Sequence, residues 1–168
     1  MKIYIAFYHG GGSFVDRFIQ KWTYWKQEFF KSFREGIKSF SSNEWKNVPS
    51  HVELSYDTLR WYSSSTRTGI FRGKCISLDE KKWRMHKFEV DPIEFGNMMT
   101  YSHKLLGTKY DWLNIFGSDG FNLDIGSKNR LTCDESVART LRLCWVGNGL
   151  KEINNLNPHS LEIFIKEI

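Results

Sequence analysis

The 168-residue sequence predicts an α+β domain, an antiparallel sheet packed against helices that precede and follow it. Three observations predict this class. Between residues 51 and 90, apolar and polar side chains alternate with the two-residue period of strands. Before and after that block, apolar residues recur at the three- and four-residue spacing of helices. No internal repeat, low-complexity tract or linker divides the chain, so one domain spans 1–168, and 40% hydrophobic residues with seven Trp are enough to bury a core.

Each element follows in order. "KIYIAFY" is a β-rich run closed by the turn "HGGGS". Ser13 or Asp16 begins a helix through "FVDRFIQKWTYW", and aromatic spacing predicts helix again in "QEFFKSFREGIKSF". "SSNEWKNVPS" reads as loop, with Pro49 holding Val48 extended before a strand. In "SHVELSYD" the alternation sets His51, Glu53 and Ser55 on one face and Val52, Leu54 and Tyr56 on the other. A turn near Asp57 and Thr58 leads to a second strand, "LRWYSSSTRTGIFRG"; "KCISL" continues the β region and "KWRMHKFEVD" alternates again. "PIEFGNMMTYSHKLL" opens on a helix-starting proline and runs to Gly107. "KYDWLNIFG" predicts a short helix capped by Asp111, "SDGFNLDIGSKNR" a glycine-rich loop. "CDESVARTLRLCWVG" predicts a helix ended by Gly147, and "NPHSLEIFIKEI" a last helix.

Composition excludes several classes. No apolar run approaches the roughly 20 residues of a membrane span. The first apolar run is short and lacks a cleavage site, which predicts a cytoplasmic protein without a signal peptide. Three cysteines without a C-x-x-C pair argue against a disulfide framework and a zinc site, leave at least one thiol free, and imply no cofactor or metal. The net charge is +5, and basic residues interleave with aromatics across residues 17–46. Such a segment suits nucleic acid or an anionic surface; a solvated helix with an aromatic core side explains it as well, and more simply.

Cys133 is the thiol worth pursuing, because it stands where a loop becomes a helix. Free backbone N–H groups and the helix dipole stabilise a thiolate in a first turn. Val137, Leu141 and Cys144 recur toward the core, so Cys144 reads as buried filler, and Cys75 lies in a strand. Asp134 and Glu135 oppose a thiolate if they point inward, so they are expected on the outer side. Of the five histidines, each more often structural or surface than catalytic, His51 at the start of a strand is the candidate for the general base that a Cys–His pair requires.

"PSHVELSYD", "KYDWLNIFG" and "TCDESVARTL", in that order, resemble the circularly permuted branch of the NlpC-like papain-fold hydrolases. That branch includes YiiX-like proteins, phage and poxvirus relatives and, distantly, lecithin:retinol acyltransferase-like enzymes. The resemblance covers most of the chain except residues 24–47, which look like an inserted aromatic-basic helix. It implies a permuted papain-like fold with its nucleophile at the N-terminus of a late helix. Cys133 is then the nucleophile, His51 the base and Ser63 the third catalytic residue, a departure because relatives often place a stronger orienter there. Glu53 is the supporting substitute, with Tyr110 as a pocket wall or hydrogen-bond donor and Asp111 as a cap.

The resemblance implies a cysteine peptidase or amidase, a thiol hydrolase acting on a peptide, a peptidoglycan-type peptide or a lipid ester through an acyl-enzyme. The alternatives are an acyltransferase of the same fold, or a phage-type interaction protein that binds a host protein, or less readily nucleic acid, through the 24–47 insert. A phage origin places it in a host cytoplasm or virion.

Overall fold

The computed structural model describes residues 1–11, 14–35, 43–112, 129–150 and 156–168. The expected glycine-rich loop and nearly all of the helix expected after Tyr110 lie outside them, as do residues 36–42 of the insert. The described elements are α+β: a curled, mostly antiparallel seven-stranded sheet and four α-helices. The strands are β1 (Lys2–Tyr8), β2 (His51–Ser55), β3 (Arg60–Ser65), β4 (Ile70–Cys75), β5 (Trp83–Glu89), β6 (Lys109–Tyr110) and β7 (Arg130–Leu131). Their order across the sheet is β5-β1-β2-β3-β4-β6-β7, with a parallel pair only between β6 and β7. The helices are α1 (Phe14–Glu35), α2 (Pro92–Leu105), α3 (Cys133–Leu141) and α4 (Pro158–Glu167).

Strand alternation divides the chemistry of the sheet. Ile3, Ile5 and Phe7 of β1 and Val52 and Leu54 of β2 form one face, paired as Phe7↔Val52 and Ile5↔Leu54. Met98 of α2, Cys133, Val137 and Leu141 of α3, and Leu161 and Ile165 of α4 complete this core. Each large aliphatic side chain buried there contributes about 1.5–3 kcal/mol. The other face carries Tyr8 opposite His51, Ala6 opposite Glu53, and, across the sheet, Arg72 opposite Ser63.

Helix starts are capped as their sequences dictate. Asp91 with Glu94, Thr132 with Glu135, and Asn157 with Ser160 each form a reciprocal capping box, and Pro92 and Pro158 occupy first-turn positions where no N–H is needed.

Several expectations are corrected. Helix runs unbroken from Phe14 to Glu35, so the aromatic-basic segment begins as the continuation of α1 rather than as a separate helix. Asn43–Asn47 is a 3-10 helix rather than loop. "LRWYSSSTRTGIFRG" is a hairpin, not one strand. Ser65 O accepts from Gly69 N–H at 2.8 Å, and Gly69 sits at φ 70°, where glycine alone is unstrained. A two-residue period runs through both arms, so alternation cannot locate the turn. Lys109–Tyr110 is strand, set by Tyr110 N–H donating to Gly69 O. α3 ends at Leu141, where i→i+3 bonds from Leu143 to Thr140 and Cys144 to Leu141 tighten the chain before Gly147.

Candidate functional site

The β2–β3 ladder is short. It pairs Leu54↔Tyr62 and Ser55↔Trp61, and the positions that follow in that register, Glu53 with Ser63 and then Val52 with Ser64, are open. Other groups occupy the bonds a ladder would have made. Ser63 Oγ donates to Val52 O at 2.7 Å, and Ser64 N–H donates to Ser136 Oγ at 3.4 Å. The Val52 N–H stabilises the Cys133 sulfur. The N-terminus of α3 is therefore wedged into a gap in the sheet, which puts Cys133 beside the backbone of the residue that follows His51.

Cys133 is the first residue of α3 and is buried, 4% exposed. Its thiol is held well above the ordinary value, first by burial and then by the negative charge of Asp134, against the opposing effect of the Val52 and Asp134 N–H groups. At rest it is a neutral thiol, donating weakly to Asp134 Oδ1 at 3.7 Å. The expectation that both acids lie outside is corrected. Glu135 is turned back into the capping box, but Asp134 is buried against the thiol.

His51 projects to the other face of β2. Its Nε2 meets Glu53 Oε1 at 3.1 Å, and its ring lies edge-on to Trp83 with centroids 6.3 Å apart. Glu53 is fully buried and also pairs with Lys74 of β4. Burial by itself would raise this carboxyl, but the His51 hydrogen bond and the charges of His51 and Lys74 outweigh it and hold the group below the usual range. A carboxylate there selects the tautomer with the proton on Nε2, leaving the Nδ1 lone pair as a base.

The structure thus brings Cys133 and His51 to adjacent positions along β2. Their side chains do not bond to each other; each is held by its own neighbour. It does bring His51 and Glu53 together. Ser63 donates its hydroxyl to the Val52 and Ser64 carbonyls, and the group that meets the His51 ring is Glu53. Tyr110 lines the cleft that contains His51, and Asp111 is buried with its N–H on Leu131 O. The reading of Asp111 as a cap falls on a helix outside the described residues.

Sequence reasoning missed Arg72 and Lys74. The signal was present: alternation in "IFRGKC" places both on one face. Among the described residues, no three His, Cys, Asp or Glu side chains converge for a metal ion, and no helix is long and apolar enough to cross a membrane. No family model, curated protein or solved structure matches the chain.

Proposed function

We propose that the protein is a thiol hydrolase with a permuted papain-like arrangement, cleaving an amide of a peptide or peptidoglycan-type peptide, or an ester, through an acyl-enzyme. One observation carries the reading: α3 starts at the open end of the β2–β3 ladder, with Ser136 on the Ser64 N–H, next to a histidine whose Nε2 is held by a buried carboxylate.

The thiol is neutral at rest, so thiolate forms only as the base acts. Proton transfer requires the imidazole and the sulfur, which lie beside consecutive residues of β2, to approach each other at the gap when substrate binds. Nδ1 takes the thiol proton as sulfur bonds to the substrate carbonyl carbon, and the Cys133 backbone N–H donates to the developing oxyanion. The imidazolium returns that proton to the leaving nitrogen or oxygen as its bond to carbon breaks. Water, losing a proton to the same imidazole, then attacks the thioester, releasing a carboxylic acid and restoring the thiol. Glu53 stabilises the imidazolium, a task to which a carboxylate is better suited than the Ser63 hydroxyl.

The test is incubation with a panel of peptidoglycan peptides and activated esters, followed by peptide mass spectrometry. An acyl adduct on Cys133, abolished in His51→Ala, is expected. Adducts confined to the exposed Cys75, or none at all, would sink the proposal.

A second reading, a docking module, is favoured by α1. Phe14 is 84% exposed, Trp25 is 46% exposed, and Phe18 stacks on Trp22 at 6.0 Å. Acyl transfer that survives Phe14→Ser with Trp25→Ser, while partner retention is lost, separates the two roles.

A further inference from the structure

The sheet face that carries His51 forms a cleft of about 350 Å³ between α1, the β3–β4 hairpin and the segment before β5. Four cations line it, Arg67, Arg72, Lys74 and Lys82, against three carboxylates, Asp16, Glu53 and Asp79. Three of the cations have a counter-charge. Arg67 meets Asp16 at 3.3 Å, Lys82 meets Asp79 at 3.2 Å, and Lys74 meets Glu53. Arg72 has none among the described residues, and its Nε is shielded from solvent without a hydrogen-bond partner. A buried guanidinium N–H without an acceptor is uncommon and costly.

Glu53 has the complementary defect. Its Oε1 is shared by His51 and Lys74, while Oε2 is buried without a donor among the described residues. Arg72 lies two strands from Glu53, paired with Ser63 of the strand between them. Serine at Ser63 and Ser65 keeps the intervening strand low, so that long side chains cross over it.

We propose that this cleft binds the C-terminal residue of a peptide, its carboxylate on Arg72 and its backbone N–H or another nearby donor on Glu53 Oε2. Arginine suits this role because its planar fork matches a carboxylate. The proposal rests on the hydrolase reading for its meaning, since it makes the substrate of Cys133 a peptide with a free carboxyl end close to the scissile bond. The binding site itself rests on the cleft alone.

The experiment follows chemical shifts of the full chain titrated with acetyl-dialanine carrying a free carboxylate, with its C-terminal amide, and with glycerol phosphate. The carboxylate is expected to bind, with affinity about tenfold or more lower for the amide and for Arg72→Gln, the scale of losing one charge-assisted contact. Lys104→Gln, the same charge change on α2, is expected to leave binding unchanged. Arg72→Lys, which keeps the charge on a similar length, separates loss of the fork from loss of folding. Equal binding of acid and amide, or unchanged binding by Arg72→Gln, would overturn the proposal, as would glycerol phosphate binding through Arg72 in place of the peptide. Arg72-dependent binding without any Cys133 adduct would refute the hydrolase reading and leave the cleft standing. Adducts formed equally from acid and amide donors would do the reverse.

Discussion

At the scale of single residues, the reactivity of Cys133 is set by what surrounds its sulfur. Burial and the Asp134 carboxylate both disfavour the thiolate, so Asp134→Asn removes one of the two. Iodoacetamide labelling of Cys133 at pH 8 should become faster in that variant while exposed Cys75 keeps its rate, as read by a peptide mass-spectrometric time course. In the unaltered protein Cys75 should label first, because Cys133 and Cys144 are both buried. Glu53→Gln leaves an acceptor for His51 but removes the counter-charge of Lys74. A loss of about 2 kcal/mol in chemical denaturation is expected. Acylation of Cys133 should fall roughly tenfold or more, since positioned acid–base catalysis contributes about 10²–10⁴ in all. An unchanged acylation rate would remove Glu53 from the mechanism.

At the scale of elements, α3 serves as a substitute strand edge at its N-terminus and as a core helix along its length. Ser136 links the two roles: its Oγ donates to Cys133 O at 2.8 Å and accepts from Ser64 N–H. Ser136→Ala leaves a buried backbone N–H unpaired, and a cost of about 1–3 kcal/mol is expected in denaturant titration. Thr132→Ala should cost about 1 kcal/mol through the lost cap. If both variants were as stable as the parent, the wedge would not be holding the gap open. After α3, Gly147 sits so close to the Leu141 carbonyl that a Cβ would collide with backbone, so Gly147→Ala should be the more damaging change.

The division of the sheet into two faces was legible at this scale. "HVELS" alternates, and Val52 and Leu54 do face the core while His51 and Glu53 face away. What stayed hidden was the gap beside Val52. Nothing in "RWYSSS" says that the Ser64 N–H is taken by Ser136, because that bond depends on α3 arriving from far along the chain.

For the whole molecule, acid sensitivity follows from a buried ionic cluster that joins the C-terminal helix to the sheet. Glu162 of α4 is 1% exposed, accepts from His9 Nε2 at 3.0 Å, and pairs with Lys166 and Arg84. Burial would raise its carboxyl, but His9 and Lys166 outweigh that and lower it. His86 and His159 beside it are both lowered by burial. All three groups have folded values below their unfolded ones. The stability they contribute is therefore present above the unfolded values and is lost as pH falls through the folded ones. Two stages are expected on acidification: a first decline below about pH 6.5 from the histidines, and a second below about pH 4.3 from Glu162 together with Glu53. Scanning the midpoint of thermal unfolding from pH 7.5 to 3.5 tests this. His86→Phe should flatten the first stage, and a midpoint that holds constant to pH 5 would contradict it.

By itself the sequence determined the α+β class, the faces of the His51–Ser55 strand, the proline start of α2 and the position of Cys133 at a helix start. These depend on periodicity and on bonds spanning three or four residues. Only the tertiary structure decided that Asp134 is buried against the thiol, that Glu53 rather than Ser63 meets His51, and that Arg72 has no counter-charge of its own in the cleft among the described residues. Each of those outcomes is set by groups from different strands and helices meeting at close range with water excluded. In such places burial and charge act together, and no local pattern of residues encodes their sum.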